Sequence, residues 1–204
     1  MNEFYLKLGV LVMGDFSQKI SLIHKMAIFF ILFIVFISTE VLADSYTHQE
    51  IDNLVQLGKL PDYCSYMGVG RKKHTPLGKK YRKTFGPDWI HMHHYCWALV
   101  DSQRGYDGQA IDNLNYVLRN SRSDFKLRPM VLKQKARILM INNNLSAAAP
   151  VYSELIKVKP DDEEGYLGLA EIFLSKGDKN TAREVVELGL KNIPDSGKLQ
   201  KIFE

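Results

Sequence analysis

The strongest constraint on the fold is a self-similarity of period 34 in the C-terminal half of the chain. Leu132, Ala136, Leu139, Ala148, Tyr152, Leu155 and Pro160 are matched, each at that same offset, by Tyr166, Ala170, Phe173, Ala182, Val186, Gly189 and Pro194. A period of this length marks a unit that cannot bury its apolar face alone and must stack on its neighbours. In the later unit Tyr166, Leu169, Ala170 and Phe173 follow the i, i+3, i+4, i+7 spacing of one helix face. Ser175-Lys176-Gly177-Asp178 interrupts that helix, and Gly177 suits the left-handed conformation that follows a helix end. A second helix begins at Asn180 or Thr181, and Ala182, Val185, Val186 and Leu190 form its apolar stripe. Pro194 stops it, having no N–H to donate. The small residues Ala170 and Ala182 fall where the two helices must cross closely. The earlier unit follows the same logic, with Asn142-Asn143-Asn144 as its turn.

A weaker copy lies upstream. Asp107 to Leu118 reads like a second helix, with Ala110, Leu114 and Val117 in the roles of Ala148, Tyr152 and Leu155 at a spacing of 38. The four extra residues fall in the Ser121–Pro129 connection, where Pro129 can open the next helix. The first helix of this copy is expected from Asp88 to about Gln103, with His94, Trp97, Ala98 and Asp101 in packing positions; Asp101 fits that role poorly.

The pattern resembles the tetratricopeptide repeat. The family's small-residue and proline positions fall on Ala136, Ala148 and Pro160, then on Ala170, Ala182 and Pro194. Leu132 and Tyr166 stand where the family often has Trp, and Lys135 stands where it usually has Leu. The resemblance implies an all-α solenoid of about three helix–turn–helix repeats (88–122, 129–162 and 163–196), a short C-terminal tail and a helical cap over residues 44–87. It also implies a concave groove lined by the first helix of each repeat. The corresponding residues here are Tyr95, Leu99, Ser102 and Gln103, then Lys133, Gln134, Arg137 and Met140, then Leu167, Glu171, Leu174 and Ser175. Lys133 and Arg137 are i, i+4 cations that can clamp a partner's carboxylate, unless Glu171 or another acid of the adjacent helix neutralises Arg137.

The N-terminus reads as an address. Met26–Ile37 is twelve residues without a polar side chain, preceded by Lys19, His24 and Lys25 and followed by a short polar stretch ending at Ala43. A basic region, an apolar core shorter than the roughly 20 residues of a spanning helix, and small residues before the cut describe a secretory signal over residues 1–43, cleaved after Ala43. The alternative is an uncleaved anchor. Both put the C-terminal part outside the cytoplasm, in the periplasm or tethered to the inner membrane, because the positive charges precede the run. Met13 would make a more ordinary start, whereas Met26 would strip away the basic residues.

Residues 44–204 hold 24 Lys+Arg and 20 Asp+Glu. The whole chain is 46% hydrophobic and 25% charged, which excludes a polytopic membrane protein, a disordered chain and a disulfide-dense miniprotein. In the cap, Thr47-His48-Gln49-Glu50 is a capping box, with Ile51, Leu54, Val55 and Leu57 behind it on a short helix. Between Asp62 and Asp88 there is no acid, but Arg71, Lys72, Lys73, Lys79, Lys80, Arg82 and Lys83 are all basic. This stretch is either a solvated loop and short helix or a contact for anionic lipid, polysaccharide or an acidic partner. Nucleic acid is not the expected partner of an exported protein. The pairing of Leu60–Cys64 with Phe85–Trp97 resembles a leader of exported bacterial tetratricopeptide proteins, which implies a location and an architecture and no reaction.

The chemistry-bearing residues are few. Cys64 and Cys96, 32 apart, form a disulfide in an oxidising compartment or stay as two buried thiols. His91 and His94 are i, i+3 neighbours on a helix, and His93 and Cys96 are a second such pair. One helix face supplies two ligands, whereas zinc takes three or four, so a partner from elsewhere, such as His48 or His74, would be required; otherwise the histidines pack or cap. A Cys–His nucleophile built on Cys96 is open only if Cys96 is a free thiol. The sequence has no CxxC, HExxH, GxSxG, P-loop or Rossmann glycine pattern. The expectation is a non-enzymatic interaction module of the bacterial cell envelope with no cofactor, binding a peptide or protein segment; a metal- or redox-linked protein using His91, His93, His94 and Cys96 is the alternative.

Overall fold

A computed structural model describes residues 47–67 and 71–203. The chain divides after Tyr46, and the description concerns the unit that follows. The expected signal or anchor, with its Met26–Ile37 core, lies outside the described residues. Among the described residues all regular structure is helical: α1 (His48–Gln56), α2 (Pro76–Phe85), α3 (Met92–Gln103), α4 (Asp107–Asn120), α5 (Arg128–Ile141), α6 (Leu145–Val158), α7 (Glu163–Ser175), α8 (Lys179–Asn192) and α9 (Gly197–Lys201), with 3₁₀ turns at Asp62–Tyr66, Arg71–His74 and Pro87–His91. None of these helices is long and apolar enough to cross a membrane.

From α3 to α8 each helix packs on the next in sequence. The helix ends keep the phase read from the sequence. The starts of α6 and α8, at Leu145 and Lys179, are one period apart, and α4 starts at Asp107, at the longer spacing of 38 before α6. All three helices are 14 residues long. The three turns share one geometry. Gly105, Asn143 and Gly177 have φ of 78°, 54° and 77°. Their N–H groups donate to the carbonyls of Ser102, Met140 and Leu174, and the next residues, Tyr106, Asn144 and Asp178, donate to Asp101, Leu139 and Phe173. These paired bonds form the Schellman arrangement that satisfies the carbonyls left open at a helix end. Asp178 also caps α8 by accepting from the Thr181 N–H at 3.0 Å, so this helix opens at Lys179 rather than at Asn180 or Thr181.

The core lies between paired helices. Ala98 and Ala110, Ala136 and Ala148, and Ala170 and Ala182 are all fully buried, which lets the backbones approach. Leu132, Tyr152, Leu155 and Ile172 fill the space around Ala136 and Ala148; each such side chain contributes roughly 1.5–3 kcal/mol by leaving water. The four extra residues between α4 and α5 bury Phe125 at 3% exposure.

Two local expectations, at Asp88 and Leu57, are corrected, and two, at Asp101 and in the tail, gain detail. The helix expected from Asp88 opens as a 3₁₀ turn and becomes α-helical only at Met92, because the Asp88 carboxylate accepts from the Arg122 backbone N–H and Nε instead of capping. Asp101 is buried, held by the Asn113 Nδ2 at 2.9 Å. Leu57 is the C-cap of α1 and 68% exposed, outside that helix's apolar stripe. The expected tail contains α9, whose start at Gly197 lies one period beyond that of α7 at Glu163 and which buries Leu199 completely.

Candidate functional site: the face shared by α3, α5 and α7

Lys133 and Arg137 lie one turn apart on α5, and both cations are taken internally. The Lys133 Nζ is 2.9 Å from the carboxylate of buried Asp162, the N-cap of α7. Arg137 reaches Glu164, in the first turn of α7, through Nε and one terminal nitrogen. The Glu164 bonds hold the Arg137 guanidinium above its usual range. The acid that neutralises Arg137 is therefore Glu164 and not Glu171. Acids at the N-terminus of α7 are also favoured by its helix dipole. The two ion pairs join α5 to the start of α7.

The α3 end of this face is covered by the chain's own N-terminal segment. Cys64 and Cys96 are joined, with S–S 2.05 Å and Cα–Cα 5.8 Å. Gln103 Nε2 donates to the Lys59 carbonyl at 2.9 Å, and Arg104 pairs with Glu50. The Tyr63 hydroxyl donates to the Met130 thioether of α5 at 3.2 Å. Met67 Sδ lies 3.5 Å from Cys96 Sγ, a packing contact because the bonded sulfur has no proton. Tyr95 is 5% exposed beneath this cover. Burial pushes its hydroxyl to about 12, opposed by Arg137 and Tyr63. Tyr95 and Gln103 thus face the cap and not an open groove. The covering residues Lys59 and Tyr63, and Met130 on α5 that Tyr63 meets, were not among the sequence-derived candidates. The one available signal was the cysteine pairing, which delivers Tyr63 to the neighbourhood of Tyr95.

The rest of the face is more open. Gln134, Met140, Leu167 and Leu174 are half-buried, while Glu171 and Ser175 are exposed. Met140 and Leu167 also pack on the adjoining cores. Ser175 donates locally to the Ile172 carbonyl. Leu99 and Ser102 on α3 are half-buried.

The histidines make a different cluster from the expected pairs. His93 and His94 rings are 4.4 Å apart, each 4.7 Å from Trp97, and His94 lies 3.7 Å from the Tyr116 ring. His91 meets Tyr116 edge-on at 5.7 Å. Asn113 donates to Asp101, so its carbonyl oxygen faces His94 and the proton sits on His94 Nδ1, at 2.7 Å. His93 Nδ1 donates to the Ile90 carbonyl at 2.7 Å. Burial holds both rings below the usual histidine value. Cys96 is bonded to Cys64 and is not a partner of His93 or a free nucleophile. Among the described residues no three His, Cys, Asp or Glu side chains come together as a metal site.

In the basic stretch, Lys72 pairs with Asp52 at 2.8 Å. Lys73, Lys79, Lys80, Arg82 and Lys83 are exposed and form no ion pair with a described residue. No family model matches the chain, and no curated protein matches it.

Proposed function

We propose that helices α3 to α8 are three tetratricopeptide-like repeats and that the protein is a non-enzymatic interaction module of the bacterial cell envelope, holding a peptide or protein segment along α5 and α7. The carrying observation is the recurrence of helix ends and positive-φ turns at spacings of 38 and 34. A chain that repeats one helix pair in phase forms an extended face, and such faces serve binding more than chemistry. The Cys64–Cys96 bond supports export, since structural disulfides belong to oxidising compartments. The cap over α3 confines the binding stretch to Gln134, Met140, Glu171 and Leu174.

The test is site-specific photo-crosslinking in the native cell. A crosslinker at Gln134 or Glu171 is expected to yield a discrete protein adduct. The same group at Glu184, on the exposed side of α8, is expected to yield none. Adducts that do not distinguish the two faces, or no adduct at all, count against the reading.

A further inference from the structure

A cavity of about 170 Å³ lies in the cap, away from the proposed groove. Engineered apolar cavities of about 150 Å³ hold one benzene ring, so this one admits a compact group and not an extended chain. Its apolar wall is Trp89 and Tyr66, and Ile90, 60% exposed, forms a lip. Trp89 is fixed by stacking on Phe85 and Tyr81 at 5.1 and 5.6 Å, so the wall is set before anything binds. Two cations, Lys73 and Arg82, also line the cavity, together with the His74 imidazole. No acid occurs between Asp62 and Asp88 to neutralise them locally, and neither Lys73 nor Arg82 pairs with a described residue.

Gly78 explains how the cations converge. A Cβ there would sit 2.6 Å from the Lys72 carbonyl oxygen and 2.7 Å from that of Lys73. Only glycine lets α2 press on the Arg71–His74 turn closely enough to bring Lys73 and His74 against the same helix face as Arg82, one turn on.

An apolar wall together with unpaired cations selects a ligand with both features. An inorganic anion offers nothing to Trp89 and Tyr66, and a neutral apolar group leaves Lys73 and Arg82 unanswered. Arginine's planar fork matches a carboxylate through two parallel hydrogen bonds. We propose that this cavity is a receptor site for a carboxylate carried on a compact apolar or aromatic body, the chemistry shared by the C-terminal residue of a peptide and by a free aromatic acid. The proposal is independent of the groove, because every lining residue belongs to the segment from Tyr66 to Ile90.

The test titrates the disulfide-intact protein with N-acetyl-phenylalanine, its amide, and a pentapeptide ending in phenylalanine as acid and as amide, following the Trp89 indole N–H resonance. The acids are expected to bind at least about tenfold more tightly than the amides, through loss of a charge-assisted bond on amidation. Arg82→Gln is expected to weaken the acids about tenfold, with Arg82→Lys in between. Binding of the acids should weaken as salt is raised. A peptide acid that binds more tightly than N-acetyl-phenylalanine identifies a chain terminus as the ligand; equal affinities identify a free acid. Acid and amide binding equally, acid binding that survives Arg82→Gln, or occupancy only by inorganic phosphate or anionic phosphatidylglycerol vesicles would overturn the proposal. Circular dichroism and a thiol count on each variant keep misfolding apart from loss of the site. Crosslinking at Gln134 and Glu171 reports the groove separately.

Discussion

Asn143 makes the α5–α6 turn without the glycine that its counterparts have. Its φ of 54° is left-handed, where Gly105 and Gly177 sit at no steric cost. Asn tolerates this region better than other side chains because its short amide bonds locally. Asn143→Ala is expected to lower stability by about 1 kcal/mol, read as a shifted urea midpoint with an unchanged slope, while Asn143→Gly should be neutral or slightly stabilising. Single residues also set the pH response. Burial lowers the folded-state pKa of His93 and His94, so the folded state disfavours their protonation. Their contribution is fully present above the unfolded value of about 6.5 and falls as pH drops through the folded values. Asp88 behaves in the same direction lower down. Burial pushes its carboxyl up, but the Arg122 bonds outweigh this and hold it below the ordinary range. Its contribution is therefore present above about pH 4 and lost below. Urea midpoints are expected to fall between pH 7.5 and 5.5, and His94→Gln should flatten that fall; an unchanged slope in the variant would remove the histidine cluster from the account.

At the scale of elements, close approach is set by glycine at α7. A Cβ on Gly168 would lie 2.2 Å from Tyr152 Cζ and within 2.6 Å of two further ring atoms. Tyr152 is 4% exposed, so its ring has little room to retreat. Gly168→Ala is expected to cost about 1–3 kcal/mol by overpacking the α6–α7 contact, despite alanine's better helix propensity. A stabilised variant, measured by thermal melting, would show that the ring can move aside. The next contact along exchanges large for small: Gly165 packs on Leu155, whereas Leu199 of α9 packs on Gly189, both partners shifted by one period. This exchange hides α9 from the apolar pattern. With Gly189 where Leu155 stands, the apolar match ends, and the bulk has moved to the partner helix. Helices α4 to α8 were legible because alanine, leucine and proline recur in phase. The cap was only partly legible. Its 3₁₀ turns have no apolar period of their own, and they are held by a disulfide and an aromatic stack from Tyr63 to Trp89.

For the molecule as a whole, the candidate groove residues were legible as positions on helices but not as an open surface. Asp162 and Glu164 match the charges of Lys133 and Arg137 across a helix boundary, and Lys59 and Tyr63 come from far upstream of Tyr95. Neither arrangement follows from the repeat pattern. From α3 to α8 the main contacts run between helices consecutive in sequence, so stability is divided along the chain rather than shared equally. The Cys64–Cys96 bond ties the cap to α3, the first of those helices, across a sequence separation of 32. In the chain-entropy account such a bond contributes about 3–4 kcal/mol. Cys64→Ser with Cys96→Ser is expected to lose about that much, and the loss should fall at one end. Amides of α1 and of the Asp62–Tyr66 turn should lose hydrogen-exchange protection, and Tyr95 should become accessible. Those of α7 and α8 should keep most of theirs, because Leu132, Leu155, Ile172 and Leu199 remain packed. Uniform loss of protection from α1 to α8 would instead mean that the cap and the helices after it unfold as one cooperative body, with the cap a part of the core rather than a cover pinned over α3.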